Sequence, residues 1–574
     1  MDILGKGQFL LTSQLFPVLL LEVQFPKYKL SGENNRIELI QGPHNRTVYA
    51  GGHGVVFYLD FETPNGLMEV SCVCEYDVTV LHKLPDAGIL FICGTNGISP
   101  SLETGTYIKY HSAEGIAPVS ISERAPSLYI EDELYTTAKM YGKFAGIRRH
   151  FGKRGKIWPR LNSLEQRYVG LVVSPRPNQI QDKVYAFLSQ RTIDEHPEVD
   201  PWMPLVTQVC RWDCGGPKGI LQQSWTSLLS ARLSCGIPDR NLYFNQLLDI
   251  TFLEGDIWRD SKVFALFSNG WGMTAVCIFT MGNIDLVFSS SRFKGHTGAF
   301  SSIRPGMCTE DSRHLPYSIL KLMSDYPEMQ DWVKPVNSSH PLLVSYQDYR
   351  HIRVDQVITW QGELYHVLLL TLDSGAVHKV LVDGGQPFII AEMLPFATKT
   401  HIQSVLLQPD AKKMYVSSSS EVVELDLQNC KAFGQSCEDC ILARDPYCGW
   451  DGIQCTAASS TAESSIVSRH VLEVPPKSSV FLNCPMSSRY ATYSWYYQGM
   501  EKSCLMAQDQ CLFLIDSMTP EQAGTYHCMA SEREYKRPLV QYELSIWSRV
   551  DRLDLCTLTL EAALFLYTVF LYST

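Results

Sequence analysis

Cys437, Cys440, Cys448 and Cys455 place four sulfur ligands within nineteen residues. Two chemistries fit such a cluster: thiolates that hold zinc or cycle as a Cys-x2-Cys redox pair, or half-cystines that staple a small fold. Zinc ribbons set two tight pairs across a longer gap, and the second pair here is loose. The intervening Asp445-Pro446-Tyr447-Cys448-Gly449-Trp450-Asp451 is aromatic-rich and too short to bury a core of its own. Cross-links must then replace the missing apolar burial, which is the solution of small extracellular modules. The cluster therefore reads as bridges in an oxidising compartment, with no metal.

Other reactive patterns give little. The chain has no His-Glu-x-x-His, no Gly-x-Ser-x-Gly and no phosphate-loop string. Gly51-Gly52-His53-Gly54 sits beside an apolar run and reads as a turn between strands. No pair of carboxylates stands out as a catalytic dyad, so neither an enzyme nor a cofactor is expected. A hydrolase on a propeller is the remaining enzymatic alternative.

The net charge of −11 over 574 residues argues against a nucleic-acid binder. Against that background Arg148, Arg149, Lys153, Arg154, Lys156 and Arg160 fall within thirteen residues that hold no acid, with Phe151 and Trp158 among them. The segment is expected to form a positive patch for sulfated glycans or an acidic receptor face; a solvated loop without a partner is the plainer reading. Asn45-Arg46-Thr47 and Asn337-Ser338-Ser339 are glycosylation sequons, with Asn45 and Asn337 as acceptors.

The elements that must position these residues are mostly strands. From 25 to 428 short runs rich in β-branched and aromatic residues recur between turn residues. Examples are Val55 to Leu59, Lys183 to Leu188, Val263 to Phe267 and His366 to Leu372. Some 400 residues of this kind exceed one sandwich, and a propeller removes the edge problem by repeating small sheets around an axis. Trp225 to Leu233 is predicted as a short helix. Residues 429–456 form the cystine-rich module and 457–470 a Ser/Thr/Ala-rich linker. Residues 471–546 carry the immunoglobulin pattern. Cys484, Trp495 and Cys528 have the sandwich spacing, and Tyr526, two residues before Cys528, occupies the tyrosine-corner position. Cys504 and Cys511 are close enough for a second, local bridge. At the start, Phe9 to Leu21 within 1–24 reads as a signal-peptide core. Residues 547–574 read as an apolar tail, either a lipid-anchor signal with Ser548 or Asp551 as the attachment residue, or a membrane anchor.

Several strings resemble the semaphorins. Gln181-Asp182-Lys183-Val184-Tyr185, Trp225-Thr226-Ser227-Leu228-Leu229-Ser230-Ala231-Arg232-Leu233-Ser234-Cys235, Thr274-Ala275-Val276-Cys277, Arg304-Pro305-Gly306-Met307-Cys308 and Asp445-Pro446-Tyr447-Cys448-Gly449-Trp450 are each similar to that family's motifs. The single immunoglobulin domain before an apolar tail is most similar to its lipid-anchored class 7. The resemblance implies an all-β chain: a seven-bladed sema propeller, a plexin-semaphorin-integrin (PSI) module and an Ig-like sandwich. It implies bridges Cys210–Cys308, Cys235–Cys277, Cys430–Cys448 and Cys440–Cys455. It also implies a homodimeric extracellular ligand, anchored at the cell surface or shed, that clusters a plexin, with a C-class plexin expected. The outputs would be axon guidance, cell migration and immune modulation. An adhesion protein or co-receptor acting through integrins or glycans is the alternative.

The chain also departs from the family. Cys93 lacks its usual partner, Cys72 and Cys74 are crowded, Cys214 is extra, and Cys437 lacks a downstream partner. Where class 7 members can carry Arg-Gly-Asp, this chain has Arg211-Trp212-Asp213. Trp lacks glycine's backbone freedom and puts a ring between the charges, so integrin binding there is expected to be weak or absent.

Overall fold

The computed structural model describes residues 19–21 and 25–547, apart from 33, 35, 64–65, 72–75, 84–89, 96–100, 105–106, 113–114, 141–144, 151–153, 161–163, 193–199, 299–302, 337–339, 360–362, 383–386, 434–435, 452, 458–467, 487–491, 508–509 and 533–534. Expectations for Cys72, Cys74, Lys153, Asn337, Ser548 and Asp551 lie outside the described residues, as do those for most of the N-terminal apolar segment and for the tail. Among the described residues no helix is long and apolar enough to cross a membrane.

Among the described residues, seven sheets of three or more strands follow one another between Glu38 and Asp426. The first is built from Glu38–Gln41, Thr47–Gly51, Val55–Asp60 and Gly66–Ser71, and the second runs from Asp77–Lys83 to Tyr107–Ser112. The third holds Ser127–Ile130, Glu133–Thr136 and Arg148–Arg149. The fourth pairs Gln166–Ser174, Lys183–Arg191, Trp202–Cys210 and Leu229–Arg232, and the fifth Gln246–Leu253, Lys262–Ser268, Thr274–Thr280 and Leu343–Ser345. Tyr349–Ile358, Leu364–Leu372, Val377–Val382 and Phe388–Met393 make the sixth, flanked by a parallel Leu19–Leu21. In the seventh, Ser404–Gln408, Lys413–Ser417 and Glu421–Asp426 are completed by Lys27–Lys29 from the chain's start, which closes the ring of blades.

Burial on both faces explains the apolar runs. In Lys183–Arg191, Val184, Ala186 and Leu188 pack toward the third blade with Tyr135 and Ile147, while Tyr185 and Phe187 pack toward the fifth with Leu247 and Val263. In Lys262–Ser268, Val263, Ala265 and Phe267 face the fourth blade, and Phe264 and Leu266 the sixth. An excursion between the last two strands of the fifth blade carries the helices Met281–Ser290 and Tyr317–Asp325, which sequence periodicity did not single out.

The helix expected over Trp225 to Leu233 is instead an approach segment and a strand. Leu229–Arg232 completes the fourth sheet against Leu205 to Gln208. The apolar spacing Trp225, Leu228, Leu229, Leu233 suits a helix, but the open ladder of Trp202–Cys210 offers the backbone partners that so short a helix cannot match.

The chain divides into two compact units, one holding the propeller with the cystine-rich module and one holding the C-terminal domain. In the first, Cys430–Cys448 and Cys440–Cys455 bridge the module around the helix Cys437–Leu442. Its Cys430, Cys440, Tyr447 and Cys455 share one apolar cluster with Val367, Leu369, Met414 and Leu425 of the last two blades. The propeller itself is bridged at Cys210–Cys308 and Cys235–Cys277.

The second unit is a sandwich of a five-stranded and a three-stranded sheet. Its first strand, Ser468–Val474, begins inside the stretch read as linker and runs parallel to Tyr535–Ile546. Cys484–Cys528 crosses between the sheets beside the fully buried Trp495. The Tyr526 hydroxyl donates to Gln522 O at 2.9 Å, which is the tyrosine-corner bond.

Candidate functional site

Two sequence candidates far apart in the chain, the basic segment and Arg211-Trp212-Asp213, meet in one polar node between the third and fourth blades. Arg148–Arg149 is the third strand of its sheet, so both side chains enter the ring instead of facing water. Each is 1 % exposed. The Arg149 guanidinium donates to Arg211 O and Asp213 O at 2.7 Å and to Gly155 O at 3.0 Å, and lies over the Trp225 ring. Arg148 donates to Ala138 O. Arg154 pairs with the buried Glu133 at 2.9 Å and stacks on Trp212 at 4.0 Å. The expected positive patch is corrected accordingly. Two of its six cations are buried backbone clamps and a third is spent on an ion pair. Lys156 and Arg160 remain exposed, and Arg160 donates to Ser324 O.

Arg211 is buried too, within 2.9 Å of Glu131, 3.4 Å of Glu133 and 3.3 Å of Asp182. Burial opposes its charge, but the bond to Glu131 and the field of Glu133 outweigh that and raise its pKa above the ordinary arginine value. Asp213 caps the turn that follows. Its Oδ2 accepts from Thr226 N, Thr226 Oγ1, Ser227 N and Ser227 Oγ, and its Oδ1 from Gly215 N and Ser312 Oγ. The tripeptide is therefore an internal clamp beside the Cys210–Cys308 bridge, and neither charge is presented to a partner.

A second node seats the cystine-rich module. Lys379, on the sixth blade, donates to Asp445 Oδ2 at 2.5 Å and to Leu427 O at 2.7 Å, with the Tyr447 ring 4.2 Å away. The Tyr447 hydroxyl donates to Asp355 Oδ2 at 2.5 Å. Burial lowers the Lys379 pKa, and Asp445 works against that shift.

Two strongly exposed aromatic side chains lie close together at the ends of the fifth blade's strands. Trp271 is 88 % exposed on the Asn269-Gly270-Trp271-Gly272 turn of the fifth blade, where Asn269 Oδ1 accepts from Trp271 N and Met273 N. Tyr346 is 80 % exposed just beyond the last strand of that blade, which pairs with the strand leaving the Trp271 turn. Sequence reasoning passed over both, although an aromatic between two turn glycines is a legible signal of exposure. Asn45 lies exposed on the turn before Thr47–Gly51, and the Thr47 hydroxyl donates to His44 O. Among the described free cysteines Cys93 is buried, and burial raises its thiol pKa; Cys214 is half-buried. Three of the inner sulfurs, Cys484, Cys511 and Cys528, form the one metal-like cluster among the described residues, and all three are in bridges.

A Sema domain model matches residues 247–409, a plexin repeat model 429–473, and a model of the Semaphorin-3/4/7A immunoglobulin-like domain 467–553. Human Semaphorin-7A is 32 % identical over 554 residues, covering 88 % of this chain and 83 % of the relative. The chain belongs to the semaphorin family. Mouse Semaphorin-7A is 31 % identical with the same coverage, and mouse Semaphorin-4D is 28 % identical over 82 % of this chain. Among solved structures, Drosophila Semaphorin 2a superposes with a TM-score of 0.65 at 19 % identity, over 92 % of this chain and 98 % of that one. A chain from Drosophila Plexin A in complex with Semaphorin 1b gives 0.64 at 21 %, over 78 % and 94 %. These distant matches carry the fold. Family membership places this semaphorin among signalling ligands rather than enzymes, and the two nodes described above are parts of its frame.

Proposed function

We propose that the protein is an extracellular semaphorin ligand that binds a plexin through its propeller and acts as a homodimer. The observation that carries this reading is the intact closed propeller with its bridged module, in a chain 32 % identical to human Semaphorin-7A. A rigid ring suits protein recognition, and no chemical step is required. Dimerisation would bring two receptors together, and the second contact would gain from the effective concentration set by the first. The likeness to class 7 supports a C-class plexin, surface attachment through the apolar tail, and roles in axon guidance, migration and immune modulation. The bridges support an oxidising, extracellular location.

Adhesion through Arg211-Trp212-Asp213 does not fit, because both charges are turned inward. Glycan binding would have to use Lys156 and Arg160 with residues outside the former patch. The deciding experiment is binding of the soluble ectodomain to a panel of plexins, with its mass measured in solution. Saturable binding to a C-class plexin by a particle of twice the chain mass is expected. Binding to no plexin in the panel would overturn the reading.

A further inference from the structure

We propose that the immunoglobulin-like domain carries a thiol–disulfide exchange site, in which Cys511 leaves Cys504 and takes Cys484 from Cys528. The Sγ atoms of Cys484, Cys511 and Cys528 all lie within 4.8 Å of one another, and all three residues are buried. In the resting arrangement Cys504–Cys511 closes a seven-residue separation, and Cys484–Cys528 stitches the two sheets together. Cys484 and Cys511 nevertheless stand directly opposite each other in the ladder between Val480–Pro485 and Gln510–Ile515. Facing residues of an antiparallel pair hold their Cβ atoms about 4.5–5.5 Å apart, close to the reach of a bridge. The alternative pair is thus already in register, and a local shift suffices to form it.

Access sets the order of events. Cys504 is half-buried at the start of the edge strand Leu505–Ala507, whereas the other three sulfurs are sealed beside Trp495. An incoming thiolate of a protein dithiol of the thioredoxin class therefore meets Cys504 first. Attack on Cys504 Sγ forms a mixed disulfide there and breaks the Cys504–Cys511 bond, whose electron pair leaves on Cys511. The Cys511 thiolate, buried in apolar surroundings that disfavour its charge, attacks Cys484 Sγ. The Cys484–Cys511 bond forms, the Cys484–Cys528 bond breaks, and Cys528 departs as the thiolate and takes up a proton. The second thiol of the reductant then resolves the mixed disulfide, freeing Cys504 as a thiol and leaving the reductant oxidised. The net change is one bridge reduced and one moved from between the sheets to within the smaller sheet. The sandwich loses its covalent stitch while its hydrogen-bond ladders remain. This inference does not rest on the receptor reading.

The test uses the whole purified protein, treated with increasing thioredoxin or dithiothreitol, quenched in acid, alkylated and mapped by peptide mass without further reduction. A Cys484–Cys511-linked peptide, with Cys504 and Cys528 alkylated, is expected before complete reduction. Alkylation of Cys504 and Cys511 together while Cys484–Cys528 stays intact would overturn the proposal. So would loss of both bridges in a single step. A second measurement needs no reductant. Cys504→Ser leaves Cys511 as a thiol facing the inter-sheet bridge, and the secreted variant is expected to contain Cys484–Cys511 molecules alongside Cys484–Cys528 ones. A product holding only Cys484–Cys528 also contradicts it.

Discussion

Asp213 illustrates what a buried carboxylate does when every lone pair has a donor. It accepts six hydrogen bonds from the turn it organises and from Ser312. Removing it strips the Thr226–Ser227 corner and Ser312 of their partner, so Asp213→Ala should cost about 3–5 kcal/mol. The expected readouts are a sharp fall in secreted yield and a lower Tm. Arg149→Ala should behave alike, by freeing four carbonyl oxygens. His150 sets a pH dependence. Its ring, 5 % exposed, bonds to the Thr136 hydroxyl at 2.7 Å, and that hydroxyl itself donates to Gly115 O. Burial, helped by the nearby Arg148 charge, lowers its pKa to about 4. The unfolded chain protonates near the ordinary histidine value of about 6.5, so between the two values the unfolded state binds more protons. Stability is then full above that upper value and is lost as pH falls through the window, by at most roughly 3 kcal/mol for this group. Thermal unfolding from pH 7.5 to 4.5 should show the decline, and His150→Gln should reduce its slope, the rest coming from other histidines whose pKa burial lowers, such as His82.

At the level of elements, the contact between the bridged module and the sixth and seventh blades has the most to say. Lys379 and Asp445 are both buried, and their pairing adds direction to a seam that is otherwise apolar. Lys379→Met leaves Asp445 buried without its cation and should cost about 3–5 kcal/mol. Lys379→Met with Asp445→Asn should recover part of that loss, because no uncompensated charge stays inside. Differential scanning of Lys379→Met, Asp445→Asn and the double variant decides it; a double-variant loss equal to the sum of the two single losses would mean that the pair contributes nothing as a pair. The strand Leu229–Arg232 carries the other lesson of this scale. The apolar spacing of Trp225 to Leu233 around it is helical, yet the neighbouring ladder claimed the strand's backbone.

For the molecule as a whole, closure is the governing fact. Lys27–Lys29 completes the seventh blade, so the ring is held by residues nearly 400 positions apart. Because the module shares the propeller's core, the smallest fragment expected to fold ends after the module at 457, and a cut at 428 would expose Val423, Leu425 and Leu427. If the propeller makes the receptor contact, that 25–457 fragment should still bind plexin. If the C-terminal domain supports the dimer, apparent affinity on a receptor-coated surface should drop roughly 10–100-fold as avidity is lost. Surface plasmon resonance at low and high receptor density separates the two effects, and complete loss of binding by a folded fragment would reassign the contact.

The sequence by itself was enough for local or covalent features: the cystine-rich module, the Cys484–Trp495–Cys528 core with its Tyr526 corner, and the β-rich propeller body. Those signals sit in residue type and short spacing, and shared strings then named the family. Only the tertiary structure decided which runs form which blade, that Trp225 to Leu233 ends as a strand, and where the basic segment points. Arg148, Arg149, Arg211 and Asp213 read as surface charges because polarity alone marks them as such. They are inside because carbonyls and carboxylates from segments about 60 to 80 residues away converge on them, and a linear pattern carries no record of partners that distant.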